Sequence, residues 1–261
     1  MYRVIIPVDF SETSLNAARY AAQMLAGKAN TIATLYHNYD NEDDYDICQN
    51  YQESLKREFL KAGVTNVECE NEMGGDLIDN ISRLAHTIRA SLILMGITGK
   101  SAIRQIMFGS STLKLVDRNL YPVMIIPPDA VYRKIQNVAF ATDFINVELS
   151  TPSQLISSVL HPLNPKLHIV NVNKETVSQA DTEIQQAKEN LEIMFDSFEK
   201  EFHFLTKSDF YTALDNFIKE KNIDILVTVP RHQSNSSSLF KSTHTKKLAY
   251  HSHIPILAVH Q

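Results

Sequence analysis

Val-Ile-Ile-Pro-Val-Asp-Phe at residues 4–10 begins a pattern that runs through the whole chain. Its apolar residues are nearly continuous and end at an aspartate, which is typical of a strand buried on both faces of a parallel sheet. The stretch returns in outline as Val-Ala-Phe-Ala-Thr-Asp-Phe at residues 138–144. Two copies of such a strand predict two copies of one α/β unit.

The same offset recurs at other positions. Residues 35–39 are echoed by residues 169–173, and Asp76 by Asp209. Four further residues, Thr112, Lys114, Leu115 and Pro122, fall on Thr245, Lys247, Leu248 and Pro255. Every offset is 133 or 134 residues, and chance matches would not keep one register. We therefore predict a duplication, with domains at residues 1–130 and 134–261 and a boundary near residues 127–133.

Each half alternates apolar runs with helical patterns. In the first half we predict strands at residues 4–8, 32–36, 64–69, 92–95 and 123–126. The predicted helices there begin after Ser11 or Thr13, cover the region 51–60, open at Asp76, and cover residues 110–119. The second-half strands are expected near residues 137–142, 167–172, 202–206, 224–229 and 256–259. Such alternation predicts two tandem Rossmann-like α/β domains, each a five-stranded parallel sheet with helices on both faces.

Composition limits the classes of partner and compartment. The net charge of −5 offers no basic surface to nucleic acid or to anionic lipid. No apolar run approaches the length of a membrane span, and the N-terminal run is short and contains Pro7. Cys48 and Cys69 have neither metal-type nor disulfide-framework spacing. We expect a soluble cytoplasmic protein with reduced thiols.

The segment after the fourth predicted strand carries the chemistry. It reads Gly-Ile-Thr-Gly-Lys at residues 96–100, and Gly-Ser-Ser at residues 109–111 opens the next predicted helix. Glycines let backbone amides approach an anion, and a helix start adds free amides and a positive dipole end. Lys100 adds a point charge suited to phosphate. Asp9, across the predicted crevice, is placed to accept hydrogen bonds from ribose hydroxyls.

The same residues also have interpretations that involve no ligand. The glycines are also compatible with turns and a helix entry without any ligand, and Asp9 with a helix-capping carboxylate. Gly99-Lys100-Ser101 resembles the end of a Walker loop, but Leu94 stands where that loop needs glycine. No glycine-rich dinucleotide motif follows the first strand, where residues 11–13 are Ser-Glu-Thr.

The segment from Gly96 to Ser110 has two glycines three apart, nine intervening residues, and then Gly-Ser. This pattern resembles the ATP-binding signature of the universal stress protein family. The opening Ile-Ile-Pro-Val-Asp-Phe-Ser-Glu at residues 5–12 is similar to that family's first strand and turn. The resemblance covers nearly the whole chain, once per half. It implies the fold shared with adenine nucleotide alpha hydrolases, an adenine slot beside strands one and two, and dimerisation through strand five.

The resemblance also implies roles for individual residues. Pro7, Val8 and Asp9 would line the adenosine, with Asp9 near the ribose. Asn38 would occupy the strand-two position that touches adenine, where the family usually has an apolar residue. The phosphates would be held by Gly96, Gly99, Lys100, Gly109, Ser110 and Ser111.

The second half has lost this loop. All seven glycines lie in the first half, and Val229, His232 and Ser242 stand where Gly96, Gly99 and Gly109 would repeat. We therefore expect no nucleotide in the second domain. Eight of the ten histidines lie there, and a zinc site from His232, His244 and His251 is conceivable, although solvent-facing histidines are the favoured interpretation. The acidic run at residues 40–46 lacks the spacing of a calcium loop and indicates a solvated loop.

Three functions remain. The first is a nucleotide-binding regulatory module of the stress response that holds ATP, or ADP or AMP, with Mg²⁺ as an optional companion, in the first domain. Residues 123–126 and 256–259 would pair the halves as an intrachain pseudo-dimer, with a homodimer as the alternative. The second is a scaffold, free of nucleotide or holding a small ligand, that acts through unknown protein partners. The third, an enzyme, is least favoured because no nucleophile–base pair is evident.

Overall fold

The structure is a computed structural model that describes residues 1–97, 106–118, 121–173, 182–206, 210–230 and 253–260. The chain divides into two compact units, Met1–Tyr132 and Arg133–Gln261. Among the described residues no helix has both the length and the apolar character that a bilayer crossing requires.

In its described residues the first unit is a five-stranded parallel sheet with four α-helices. Its strands are β1 (Tyr2–Pro7), β2 (Thr31–Tyr39), β3 (Val67–Met73), β4 (Leu92–Gly96) and β5 (Val123–Ile126). Its helices are α1 (Glu12–Leu25), α2 (Tyr45–Ala62), α3 (Leu77–Ile88) and α4 (Ile106–Asp117). The strand order is β3-β2-β1-β4-β5, and all four pairings are parallel. The predicted Rossmann-like α/β class is confirmed.

Burial explains why these residues form these elements. Every residue of β4 and β5 is buried, as expected for strands covered by helices on both faces. Helix α1 buries a strip of small residues that includes Ala17, Ala18, Ala21 and Ala22. Short side chains let the helix axis approach the sheet closely, and this closeness matters at Gly96 below.

Two side chains fix the starts of helices. The Ser11 hydroxyl accepts a hydrogen bond from the Ser14 amide and caps α1. The Asp76 carboxylate accepts from the amides of Ile78 and Asp79 and caps α3. Each cap satisfies amides that have no partner inside the helix.

The second unit repeats the sheet. Its strands are β6 (Asn137–Thr142), β7 (Lys166–Asn173), β8 (Lys200–Thr206), β9 (Ile225–Thr228) and β10 (Ile256–Ala258). They lie in the order β8-β7-β6-β9-β10, again with parallel pairings. The described helices of this unit are α5 (Val147–Ser150), α6 (Ser153–Leu160), α7 (Thr182–Met194) and α8 (Phe210–Glu220).

The repeat extends to backbone conformation, with one difference. Phe10 and Phe144 both have a left-handed backbone, at φ of 60° and 61°, which is unusual for an aromatic residue. Where the first unit has the continuous helix α1, the second has two short helices separated by Thr151 and Pro152. Proline lacks the amide that an uninterrupted helix needs, so the break falls beside it.

Candidate functional site

The first unit has a strand-order reversal between β1 and β4. Connections from β1 lead to β2 on one side, whereas β4 and β5 lie on the other. In open α/β sheets such a reversal leaves a crevice at the carboxyl ends of the strands, where ligands bind. Pro7 is the last residue of β1 and Gly96 the last residue of β4, so both lie at this edge.

Asp9 is exposed just beyond β1. Its Oδ1 accepts hydrogen bonds from the Ser11 amide at 3.0 Å and from the Ser11 hydroxyl at 2.6 Å. Asp9 is therefore not itself the cap of α1 but holds the serine that is. The carboxylate projects from a turn whose geometry is fixed on both sides, because the Asp9 amide also donates to the Ser14 hydroxyl at 3.3 Å.

Val8 is buried and joins β1 to a polar cluster below the crevice. Its carbonyl oxygen lies 2.7 Å from His37 Nδ1, and because a carbonyl only accepts, Nδ1 carries the proton. His37 Nε2 is then the bare nitrogen, and it accepts the Cys48 thiol proton across 3.1 Å. Burial raises the pKa of Cys48, and the Asp44 carboxylate raises it further. This thiol is thus a protonated donor at neutral pH and not a nucleophile.

A cleft of about 560 Å³ opens beside this cluster. Its lining includes Asp9, Asn38, His37, Cys48 and Tyr51. An aromatic wall forms part of it, since the ring centroid of Phe10 lies 4.7 Å from that of His37 and 5.1 Å from that of Tyr51. The volume is within the range of roughly 300–1,000 Å³ typical of small-molecule sites.

Asn38 is committed to internal hydrogen bonds. Its Oδ1 accepts from Asn80 Nδ2 at 2.8 Å and from the Tyr36 hydroxyl at 3.2 Å. Its Nδ2 donates to the Gly74 carbonyl at 3.2 Å. The side chain therefore ties the end of β2 to the turn before α3. Asn38 therefore presents a fixed polar edge. The resemblance had implied an apolar residue at this position, in contact with adenine.

Gly96 is required by packing. A β-carbon at this position would lie 2.6 Å from the Thr13 carbonyl oxygen and 3.0 Å from Thr13 Cγ2. Contacts that short do not occur, so the glycine lets helix α1 approach the end of β4. The Gly96 carbonyl accepts a hydrogen bond from the buried Thr112 hydroxyl at 2.9 Å, which joins α4 to the same point.

Helix α4 starts earlier than predicted. It begins at Ile106 and not at Ser110, so Gly109, Ser110 and Ser111 lie inside it. Glycine costs only about 1 kcal/mol within a helix and does not force a start there. In a helix with this start, the amides without intrahelical acceptors precede Gly109. Ser111 is half-buried, and the predicted phosphate contacts at Gly99 and Lys100 lie outside the described residues.

The second unit differs at each equivalent point. Asp143, the counterpart of Asp9, is only 5% exposed, and its Oδ1 accepts from the Ile145 amide at 3.0 Å. Val229 stands in place of Gly96 and is buried. His232, Ser242, His244 and His251, including the conceivable zinc ligands, lie outside the described residues. The acidic run 40–46 includes a short 3₁₀ turn, Glu42–Asp44, and its first residues are exposed.

Sequence reasoning missed the His37, Cys48 and Phe10 side of the cleft. These residues belong to a strand, a helix and a loop, and no local spacing relates them. The signal that was present was the alternation of β2, which sends His37 to the face opposite Tyr36 and Asn38.

Comparison with known proteins identifies the fold of the chain and the family that its first half resembles. The universal stress protein family model matches residues 1–127. A universal stress protein of Methanocaldococcus jannaschii is 26% identical over 137 residues, which are 48% of this chain and 81% of that protein.

Solved structures resemble the chain over its whole length. A universal stress protein of Archaeoglobus fulgidus has a TM-score of 0.70 at 17% identity, covering 99% of this chain and 98% of its own. A Pseudomonas aeruginosa protein, solved as a candidate universal stress protein, has a TM-score of 0.67 at 13% identity and covers 100% and 93%. At these identities the structures establish the fold. Residues 1–127 match the universal stress protein family model, and over its whole length the chain shares the fold of the solved universal stress protein of Archaeoglobus fulgidus.

Proposed function

We propose that the first unit binds an adenine nucleotide, ATP, ADP or AMP, and that the protein acts as a regulatory module and not as an enzyme. The observation that carries the proposal is the exposed Asp9 carboxylate at the carboxyl edge of the sheet, where the strand order reverses between β1 and β4. That edge is where α/β sheets bind ligands, and a carboxylate accepts hydrogen bonds from vicinal ribose hydroxyls.

The cleft beside Asp9 supports an adenosine-sized ligand. It holds about 560 Å³ and is lined by Phe10, Tyr51 and His37 together with Asn38. Aromatic side chains offer stacking surfaces to a purine. Asn38 already forms three hydrogen bonds within the protein, so its side chain would give the ligand a surface of fixed position and not a donor that can reorient. The phosphates would lie along the segment from Gly96 to Ser111, with Gly99, Lys100, Gly109 and Ser110 as the proposed contacts and Mg²⁺ as an optional companion.

The second unit is proposed not to bind nucleotide in this manner. Its equivalent carboxylate, Asp143, is buried and hydrogen-bonded to its own turn. A valine side chain replaces the glycine at the end of its fourth strand. Among the described residues, a ribose at this point of the second unit would therefore not meet the exposed carboxylate that Asp9 offers in the first.

The regulatory interpretation is preferred to catalysis because the Cys48 thiol in the cleft is a protonated donor. His37 donates Nδ1–H to a carbonyl and not to a carboxylate, so it lacks the orienting carboxylate of a catalytic triad. The raised pKa of Cys48 keeps the thiol protonated. The alternative function, a scaffold that acts through protein partners without nucleotide, is distinguished by the binding experiment below.

The experiment compares two matched carboxylate variants of the full chain by isothermal titration with ATP. Asp9→Asn keeps the acceptor for the Ser11 amide but removes the charge, so we expect ATP affinity to fall by roughly 10- to 100-fold, as for a lost hydrogen bond to a charged group. Asp143→Asn is the control: it lies in the other unit, so it is expected to change affinity less than about twofold. One molecule of ATP should bind per chain.

Two outcomes contradict the proposal. Absence of ATP, ADP and AMP binding by the unaltered chain would favour the scaffold. Weakened binding in Asp143→Asn with unchanged binding in Asp9→Asn would move the nucleotide to the second unit. Circular dichroism of both variants checks that the fold is retained.

A further inference from the structure

Two histidines and a glutamate converge at one edge of the second unit. His168 lies on β7, and Glu201 and His203 lie on the neighbouring edge strand β8. In the strand register His168 is directly opposite Glu201, and His203 follows two residues later. Side chains alternate along a strand, so all three point to the same face. Within the described ranges this is the one group of His, Cys, Asp or Glu side chains with metal-ligand spacing.

The three potential ligand atoms form a triangle of suitable size. His168 Nδ1 lies 3.1 Å from His203 Nε2, and Glu201 Oε2 lies 3.8 Å from the first nitrogen and 3.6 Å from the second. A point equidistant from all three atoms in their plane is about 2.0 Å from each, which equals ordinary zinc–nitrogen and zinc–oxygen distances. An ion at that point would replace the hydrogen bond between the two imidazoles, with His203 carrying its proton on Nδ1 instead.

Neighbouring groups orient the ligands. His168 Nε2 lies 3.2 Å from the Asn137 carbonyl oxygen, Oδ1, so Nε2 carries the proton and the bare Nδ1 accepts the proton of His203 Nε2. A hydrogen bond such as the one to Asn137 is the usual support of a metal-bound imidazole. Lys166 Nζ bonds the other glutamate oxygen, Oε1, at 2.5 Å and turns Oε2 toward the imidazoles.

The environment favours the neutral form of both imidazoles. Burial lowers the pKa of His168, with His203 adding to the effect, and burial lowers the pKa of His203, with Lys221 adding to it. The ring centroid of Phe217 lies 4.8 Å from that of His203 and provides an apolar wall. The glutamate side chain is 45% exposed, so one side of the triangle is open to solvent.

We propose that His168, His203 and Glu201 form a site for a divalent late transition-metal ion, with Zn²⁺ as the best match, in which a water molecule completes the coordination. Two nitrogens and one carboxylate oxygen are a ligand set of known zinc sites. The site lies near the amino ends of β7 and β8, so it is independent of the proposed nucleotide crevice at the carboxyl edge of the first unit. An ion there would join edge strand β8 to β7.

The test is Zn²⁺ titration of the chelator-treated full chain, read by calorimetry and by the thermal unfolding midpoint. The unaltered chain should bind one Zn²⁺ at this site and unfold at a higher temperature with the ion. Glu201→Gln and His203→Gln should each weaken that binding by at least about tenfold and abolish the midpoint shift. Both positions are partly exposed, so both variants are expected to fold.

The control is His161→Asn, which removes a histidine of the same unit that stacks on Phe198, away from the cluster. It should leave Zn²⁺ affinity unchanged. A triple variant in which His232, His244 and His251 are each replaced by Asn removes any Zn²⁺ binding by those histidines, so that the binding which remains can be assigned to the proposed site. The proposal is overturned when the unaltered chain binds no Zn²⁺, or when Glu201→Gln and His203→Gln bind it as tightly as His161→Asn does.

Discussion

At residue 96 a hydrogen atom in place of a side chain determines how closely α1 lies against β4. A β-carbon there would lie 2.6 Å from the Thr13 carbonyl oxygen. We therefore expect Gly96→Ala to lower the free energy of unfolding by about 1–3 kcal/mol, as overpacking does in a tight core. Urea unfolding of the purified variant measures this loss.

A second substitution checks the cause of that loss. Thr13→Ser removes the methyl group 3.0 Å away but leaves the closer carbonyl oxygen in place. The double variant should therefore recover little of the stability that Gly96→Ala loses. Full recovery would mean that the methyl, and not the backbone of α1, sets the requirement for glycine.

At the scale of the element, α3 depends on its first carboxylate. Asp76 Oδ1 accepts hydrogen bonds from Ile78 N at 2.9 Å and from Asp79 N at 3.1 Å. Asp76→Ala leaves both amides without this acceptor, so we expect a loss of about 1 kcal/mol in unfolding free energy. Chemical denaturation is again the measurement.

Asp79→Ala serves as the matched control for this helix. Asp79 forms an ion pair with Arg118, but its side chain is 61% exposed. Exposed ion pairs contribute between about 0 and 1 kcal/mol, so this variant should lose less than Asp76→Ala. Equal losses would show that charge in the first turn, and not the cap, stabilises α3.

The bounds of the strands and helices could be predicted from the sequence only in part. Strands were predicted well because β4 and β5 are apolar at every position. Helix α2 was placed too late, at residue 51 instead of Tyr45, since its buried face includes the polar Gln52 and interrupts the hydrophobic period. Helix α4 was also placed too late, because Gly109 was interpreted as the entry to the helix although the helix begins at Ile106. The break beside Pro152 was not predicted at all.

At the scale of the whole molecule, buried tyrosine and cysteine side chains that stay protonated make the folded protein less stable at alkaline pH. Burial raises the pKa of Tyr2, Cys69 and Tyr36, with Glu72 adding to the shift of Tyr36. A folded-state pKa above the unfolded one gives stability that is complete below the unfolded pKa and is lost as pH rises. Between about pH 8 and pH 10.5 we expect a loss of about 1 kcal/mol per buried phenol, measured by urea unfolding.

Tyr36→Phe isolates one of these contributions. It removes the hydroxyl that donates to Asn38 and Glu72, so it should lower stability at about pH 8 by about 1 kcal/mol. The same variant should lose less on going to alkaline pH, because one phenol no longer resists ionisation. An unchanged alkaline loss would assign the pH dependence to the remaining groups.

The candidate sites show a different limit of sequence reasoning. Asp9 and Gly96 were identified because each ends a recognisable strand. The exposure of Asp9 and the burial of Asp143 were not foreseen, since both follow similar strands and differ only in the packing above them. His168, Glu201 and His203 were missed because their proximity arises from the register of two strands. The pairing of residues 123–126 with 256–259 stays a prediction.

The contrast between Asp9 and Asp143 has a consequence for how the chain responds to concentration. Any ligand that requires this carboxylate finds one accessible copy per polypeptide. Homotropic cooperativity needs at least two coupled equivalent positions. Saturation within one polypeptide should therefore follow a simple hyperbola with a Hill coefficient of one, so that a duplicated fold yields a graded response and not a threshold.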